Sequence, residues 1–153
     1  MALEKYNKKR KFDVTPEPEG KVSKKGRKRF VVQEHHARAL HYDFRLEIDG
    51  VLKSWAIPKI PPKTTSLKRL AMQTEDHPVE YINFSGVIPK GNYGAGQVKI
   101  WDKGKFELEK NQNNEIIVVL KGIKLKGRYI LIKPKGSRFG KKAWLFFKMN
   151  PVK

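Results

Sequence analysis

From His41 to Ile48 the chain alternates without a break: His41, Asp43, Arg45 and Glu47 are ionisable, while Tyr42, Phe44, Leu46 and Ile48 between them are apolar. Successive side chains on a β-strand point to opposite faces, so this period of two prescribes a half-buried strand with only one face on a core. The other face carries a row of groups suited to binding cations and anions. Short alternating or β-rich runs recur along the chain at 29–34, 40–48, 51–57, 69–74, 96–101, 105–110, 115–121, 128–133 and 143–149, separated by turn residues. That spacing predicts an all-β, mainly antiparallel fold, a compact barrel with little helix. Asp49-Gly50 and Asp102-Lys103-Gly104-Lys105 read as hairpin turns, and only Thr64 to Lys68 suggests a short helix. Trp55, Trp101 and Trp144 sit in apolar strands and are expected in the core.

With 153 residues there is room for one domain with a real core. We expect a basic, partly flexible arm over 1–28, rich in Pro, Gly and Lys, followed by the barrel over 29–153. The formal charge of +19 points to a polyanionic partner. Its distribution is uneven: residues 1–29 hold eleven Lys and Arg against four acids, and residues 121–153 hold eleven against none. The middle is nearly balanced. A solvated Lys-rich surface would normally carry matching Glu, so a phosphate-backbone footprint is the better reading. No apolar run approaches the ~18 residues of a membrane span, which puts nucleic acid ahead of a membrane. Cysteine is absent, excluding disulfides, thiolate zinc sites and a thiol nucleophile. No secretory signal follows the N-terminal charges, so a cytoplasmic location is expected, and nothing demands more than a monomer.

His41 and Asp43, two apart on one strand, bring imidazole and carboxylate within about 6.6 Å at Cα, close enough to share a metal. His35 is the natural third ligand. Six extended residues would hold it about 20 Å away, so the chain has to turn at Ala37-Arg38-Ala39 for the three to converge. Two imidazoles and a carboxylate suit Mn, Fe, Co or Zn. The competing reading is surface or hydrogen-bonded histidines. Arg45, next on the same face, matches two phosphate oxygens with its fork, or pairs with a neighbouring acid. His77 in Glu75-Asp76-His77-Pro78 can bind or protonate a phosphate oxygen, and Tyr81 can donate to one or simply pack. Gly91-Asn92-Tyr93-Gly94-Ala95-Gly96 has its glycines in the wrong order for a dinucleotide fingerprint and leads into a strand, so it reads as a tight turn.

These residues fall into motifs that resemble the 3′-phosphoesterase module of bacterial DNA ligase D and its stand-alone homologues. The resemblance runs through Phe30 to Glu47, Leu52 to Pro58, Lys68 to Ala71, Glu75 to Pro78 and Gly86 to Gly96, and weakly to Trp144 to Lys148. It implies a β-barrel enzyme that removes 3′-terminal ribonucleosides and then 3′-phosphates from DNA, leaving 3′-hydroxyls for repair ligation. It also implies a divalent metal, manganese above all with Co²⁺ or Zn²⁺ as alternatives, on His35, His41 and Asp43. Phosphate-binding and catalytic roles would fall on Arg45, His77 and Tyr81, with Gln33, Arg69, Arg10 and Glu17 in support. The implied partners are DNA or RNA/DNA 3′ ends on a primer-template, a separate ligase and end-joining proteins, because no K-x-D-G motif is present. Two departures stand out: Arg10-Lys11-Phe12 replaces the family's Arg-Asp-Phe, and His36 stands where an acid often follows the first histidine. His36 and Glu47 receive no role. Two rival readings are a non-catalytic nucleic-acid-binding barrel and a non-haem iron oxygenase with His77 as its third ligand.

Overall fold

The computed structural model describes residues 3–21, 27–136 and 140–150. A short helix, α1 (Glu4–Lys8), precedes nine strands: β1 (Arg29–His36), β2 (Leu40–Ile48), β3 (Val51–Ile57), β4 (Lys68–Pro78), β5 (Gly86–Ile88), β6 (Gly96–Gln112), β7 (Glu115–Lys121), β8 (Lys126–Ile132) and β9 (Ala143–Lys148). A single 3₁₀ turn, Val79–Asn83, follows β4. All pairings are antiparallel. Eight strands run in the order β1-β2-β3-β4-β9-β8-β7-β6, and β6 returns to β1 to close the barrel, while β5 adds to the start of β6. Closure removes the sheet edges that would otherwise template association.

Asp49 and Gly50 both take positive φ (54° and 79°), the two-residue turn whose twist matches its flanking strands, and they fix the register Ile48↔Val51. That register sends Tyr42, Phe44 and Leu46 inward, where Phe30, Trp55, Tyr129, Trp144 and Phe146 meet them. Phe44 stacks on Phe146 at 4.6 Å between ring centroids. Trp55 and Trp144 lie in this core as expected, and Trp101 packs against it from the side.

Three sequence expectations fail. The predicted hairpin at 102–105 does not exist, because β6 runs straight through it. Asp102 turns its carboxylate to the backbone N–H groups of Ile123, Lys124 and Leu125 (2.9, 3.1 and 2.8 Å), and a Cβ on Gly104 would run into the carbonyl of Lys121. Residues chosen for close approach thus mimic turn chemistry; the real turn lies at Asn113-Asn114. The helix over Thr64 to Lys68 is also absent. Thr64 bonds Ser66 instead of capping a turn, and the Tyr129 hydroxyl donates to Pro62 O at 2.8 Å, holding the segment as a loop.

Third, the polar face of β2 is not open to solvent. Asp43, Arg45 and Glu47 are as buried as their apolar neighbours. A second apolar cluster covers that face, formed by Leu3 and Tyr6 from the N-terminal segment, Val31, Val51 and Leu52 from the sheet, and Tyr81, Ile82 and Phe84 after β4. Residues 3–21 therefore pack on the barrel, with the Tyr6 ring completely buried and its hydroxyl donating to Pro18 O. The second basic run, Lys24 to Arg29, lies partly outside the described residues. No helix among the described residues is long and apolar enough to cross a membrane.

Candidate metal and phosphate site

The β1–β2 hairpin pairs His35 with His41 and Gln33 with Asp43, placing all four side chains on one face. The chain does turn at 37–39, and the two imidazole centroids come within 4.7 Å. One ligand atom from each of His35, His41 and Asp43 lies within 4.8 Å of the others. His35 Nε2 sits 2.6 Å from Gly94 O, and His41 Nδ1 sits 3.1 Å from Ala39 O. A carbonyl only accepts, so these nitrogens carry the hydrogens. The opposite nitrogens, His35 Nδ1 and His41 Nε2, face Asp43 Oδ2 at 3.4 and 3.2 Å. In neutral imidazoles they present lone pairs, so three lone pairs converge and require a cation between them. Backbone carbonyls that fix the outer nitrogen are the usual support of histidine ligands, and the donor set fits a divalent metal. A proton meets the same need: the hydrogen bond to Asp43 raises the His41 pKa, so metal uptake would displace that proton. Burial resists ionisation of Asp43, but Arg45 with His35 and His41 outweighs it and holds the carboxyl far below its usual range.

Arg45 extends from this cluster. Its Nε donates to Gln33 Oε1 at 2.6 Å, its Nη2 lies 3.5 Å from Asp43 Oδ2, and its plane rests on the Tyr81 ring at 4.8 Å. Gln33 in turn donates to Tyr81 O and Phe84 O, tying the 3₁₀ turn to β1. Arg45 Nη1 is buried and has no partner among the described residues. Arg45 thus brings a fixed guanidinium with an unused donor into the cavity beside the His35–His41–Asp43 cluster, an arrangement that suits an anion.

The N-terminal segment completes the cavity, whose volume is about 320 Å³. Arg10 donates to Glu17 at 2.9 Å, lies near Glu75 at 3.5 Å, and approaches His77 Nε2 at 3.4 Å. Tyr81 donates its hydroxyl to Glu17 at 2.6 Å. Since Glu75 O takes the His77 Nδ1 hydrogen at 2.9 Å, Nε2 is left to accept from Arg10, and the ring is neutral. Burial, then Arg45 and Arg10, push the His77 pKa well below its ordinary value. Burial, reinforced by Glu17 and opposed by Arg45, raises that of Tyr81.

The cavity thus gathers His35, His41, Asp43, Arg45, His77, Tyr81, Arg10 and Glu17, with Gln33 behind them. Arg69 is elsewhere: it donates to Ile60 O at 2.8 Å and holds the loop before β4. His77 does not belong to the His35–His41–Asp43 group that could hold a metal, which argues against it as the third ligand of an oxygenase triad. Of the two residues without a role, His36 pairs with Glu34 and Glu47 with Arg29, both away from the cavity. Sequence reading passed over Glu75, Thr74, Tyr93 and the carbonyl of Gly94, all of which line the cavity or support it. Glu75 stood inside a quoted motif, but its partner Arg10 is 65 residues away and no spacing could reveal the pair.

Residues 33–133 match the DNA Ligase D 3′-phosphoesterase domain. The multifunctional non-homologous end joining protein LigD of Mycolicibacterium smegmatis is 50% identical over 164 residues, covering 99% of this chain and 21% of that protein. The corresponding DNA repair protein of Mycobacterium tuberculosis is 50% identical over 143 residues, 90% of this chain and 19% of its own length. That of Pseudomonas aeruginosa is 48% identical over 139 residues, 86% of this chain and 16% of its own length. The chain spans about a fifth of the length of the curated relatives it matches.

Proposed function

The chain belongs to the DNA ligase D 3′-phosphoesterase family, and from that premise we propose that it heals DNA 3′ ends: it removes a 3′-terminal ribonucleoside to leave a 3′-phosphate, then the phosphate to leave a 3′-hydroxyl. The observation that carries this is the buried, unpartnered Nη1 of Arg45 next to the His35–His41–Asp43 cluster. A binding barrel does not call for that pairing, whereas hydrolysis of a phosphate ester can use both halves. A divalent metal held by His35, His41 and Asp43, with manganese our choice, would supply positive charge to a phosphate oxygen as the transition state forms.

The chain's own groups do the rest. Arg45 is immobilised by Gln33, Asp43 and Tyr81, so its free N–H already points where a non-bridging oxygen will sit and little is reorganised on reaction. Arg10, held by Glu17 and Glu75, brings a second guanidinium to the same cavity. Two guanidiniums suit the two charges of a terminal phosphate. His77 holds Arg10 through Nε2, and Tyr81 keeps its proton and orients Glu17. Hydrolysis consumes one water, breaks the ester P–O bond, and leaves the departing oxygen protonated. A DNA ligase and end-joining proteins acting on the product are the proposed partners, and the cytoplasm the proposed location.

The test is a primer-template bearing a 3′ ribonucleotide or a 3′-phosphate, incubated with and without manganese. Shortening and dephosphorylation only with metal are expected. An unchanged primer under every divalent metal would contradict the proposal and favour a binding module.

A further inference from the structure

Tyr93 is a large aromatic side chain left about half exposed (49%) on the wall of a charged cavity, its hydroxyl accepting from Lys9 Nζ at 3.4 Å. It precedes Gly94, whose carbonyl takes the His35 hydrogen, so the ring is registered against the metal cluster by one residue of backbone. Lys9 lies 4.6 Å from the ring centroid and Arg10 5.5 Å, both also paired with Glu75. Tyr93 also lines a second groove, of about 520 Å³, that adjoins the site cavity and shares Thr74 and Glu75 with it. That groove is walled by Lys5, Lys9, Lys53 and Lys142. Of its acids, Glu75 is 5% and Asp76 14% exposed, paired with Lys9 and Lys53, while Glu4 is exposed. Lys5 and Lys142 make no ion pair among the described residues.

Resting on the phosphoesterase reading above, we propose that Tyr93 is the stacking platform for the nucleobase on the 5′ side of the scissile phosphate, and that the lysine-walled groove carries the strand away from it. With the phosphate on Arg45, that base lies one sugar from the phosphate, toward the rim that Tyr93 occupies. The same base position serves both reactions, since ribonucleoside removal and phosphate removal each cleave beyond the same nucleoside. Stacking tolerates any base because every base offers a π-face, so the platform positions without selecting sequence. Tyr93 is a positioning residue: it holds the substrate and touches no reacting atom.

Two measurements test it. Without added metal, a strand ending in 5-iodouracil with a 3′-phosphate is irradiated with the full chain and the crosslink mapped by mass spectrometry; attachment to Tyr93 is expected, and attachment only elsewhere overturns the proposal. Kinetics are then compared on 3′-phosphate strands whose last residue carries a base or is an abasic tetrahydrofuran. Tyr93→Ala should raise KM about tenfold on the base-bearing strand and Tyr93→Phe should restore it, whereas on the abasic strand wild type and Tyr93→Ala should agree. An unchanged KM on the base-bearing strand, or an equal loss on both, would overturn the platform. If wild type releases phosphate from neither strand, the phosphoesterase reading fails, and the crosslink still decides whether Tyr93 holds the base.

Discussion

The two faces of β2 are buried to nearly the same depth and are held in opposite ways. Inward, Tyr42, Phe44 and Leu46 need only apolar neighbours of the right volume, which the barrel supplies from all round. Outward, Asp43, Arg45 and Glu47 need named partners: Gln33, 12 residues away, for Arg45, and Arg29, 18 away, for Glu47, while Gln33 is itself held by the backbone of Tyr81, 48 residues further on. The first face gives the barrel its stability. The second is a site whose N-terminal wall, Arg10 with Glu17, is contributed from outside the barrel. Neither burial nor an unsatisfied donor alone separates core from site, since Trp55 Nε1 in the core is also unpartnered among the described residues; Arg45 Nη1 differs in belonging to a residue that lines the cavity beside His35, His41 and Asp43.

Substitutions on the two faces should accordingly separate activity from stability. His41→Ala should lower release of 3′-phosphate by roughly 10³-fold or more while moving the melting temperature by only about 3 °C, since its side chain is a quarter exposed and its partners are polar. Phe44→Ala should do the reverse, costing ~3–5 kcal/mol in urea denaturation with near-normal turnover per folded molecule. Glu17→Gln should reduce kcat/KM by about 10–100-fold in steady-state assays, because it loosens Arg10 and Tyr81 without touching the metal ligands.

The smallest effect is in pH. The unfolded chain protonates His77 near pH ~6.5, and the folded chain resists it, so the unfolded state binds more protons and stability falls as pH drops below that value. The slope approaches ~1.4 kcal/mol per unit at most. His41, whose pKa is raised, acts with the opposite sign and above about pH 6.5, where its contribution is lost as pH rises. The difference between wild type and His77→Gln isolates the first term: the variant should lose less stability between about pH 6.5 and 5, read from urea midpoints.

The fold was legible where local chemistry is decisive. Alternation placed β2, the Asp49-Gly50 turn placed β3, and His-x-Asp with His35 named three side chains that converge. It was illegible where distant chain reuses local signals. Asp102 and Gly104 look like a turn because Asp binds backbone N–H groups and Gly admits close approach, yet both properties serve the 122–125 segment and β7. The lid over the polar face was illegible for the same reason: Tyr6 and Arg10 form no apolar period of their own, and their partners Glu75 and His77 lie more than sixty residues on.

The central claim is that a divalent metal on His35, His41 and Asp43 acts with Arg45 on a 3′-phosphate. Phosphate release from a 3′-phosphate primer, titrated with manganese for wild type and Asp43→Ala, tests it most directly. Saturable release by wild type is expected, with none in chelator and none from the variant at any manganese concentration. Release by wild type in chelator, or by Asp43→Ala at a comparable rate, would contradict it.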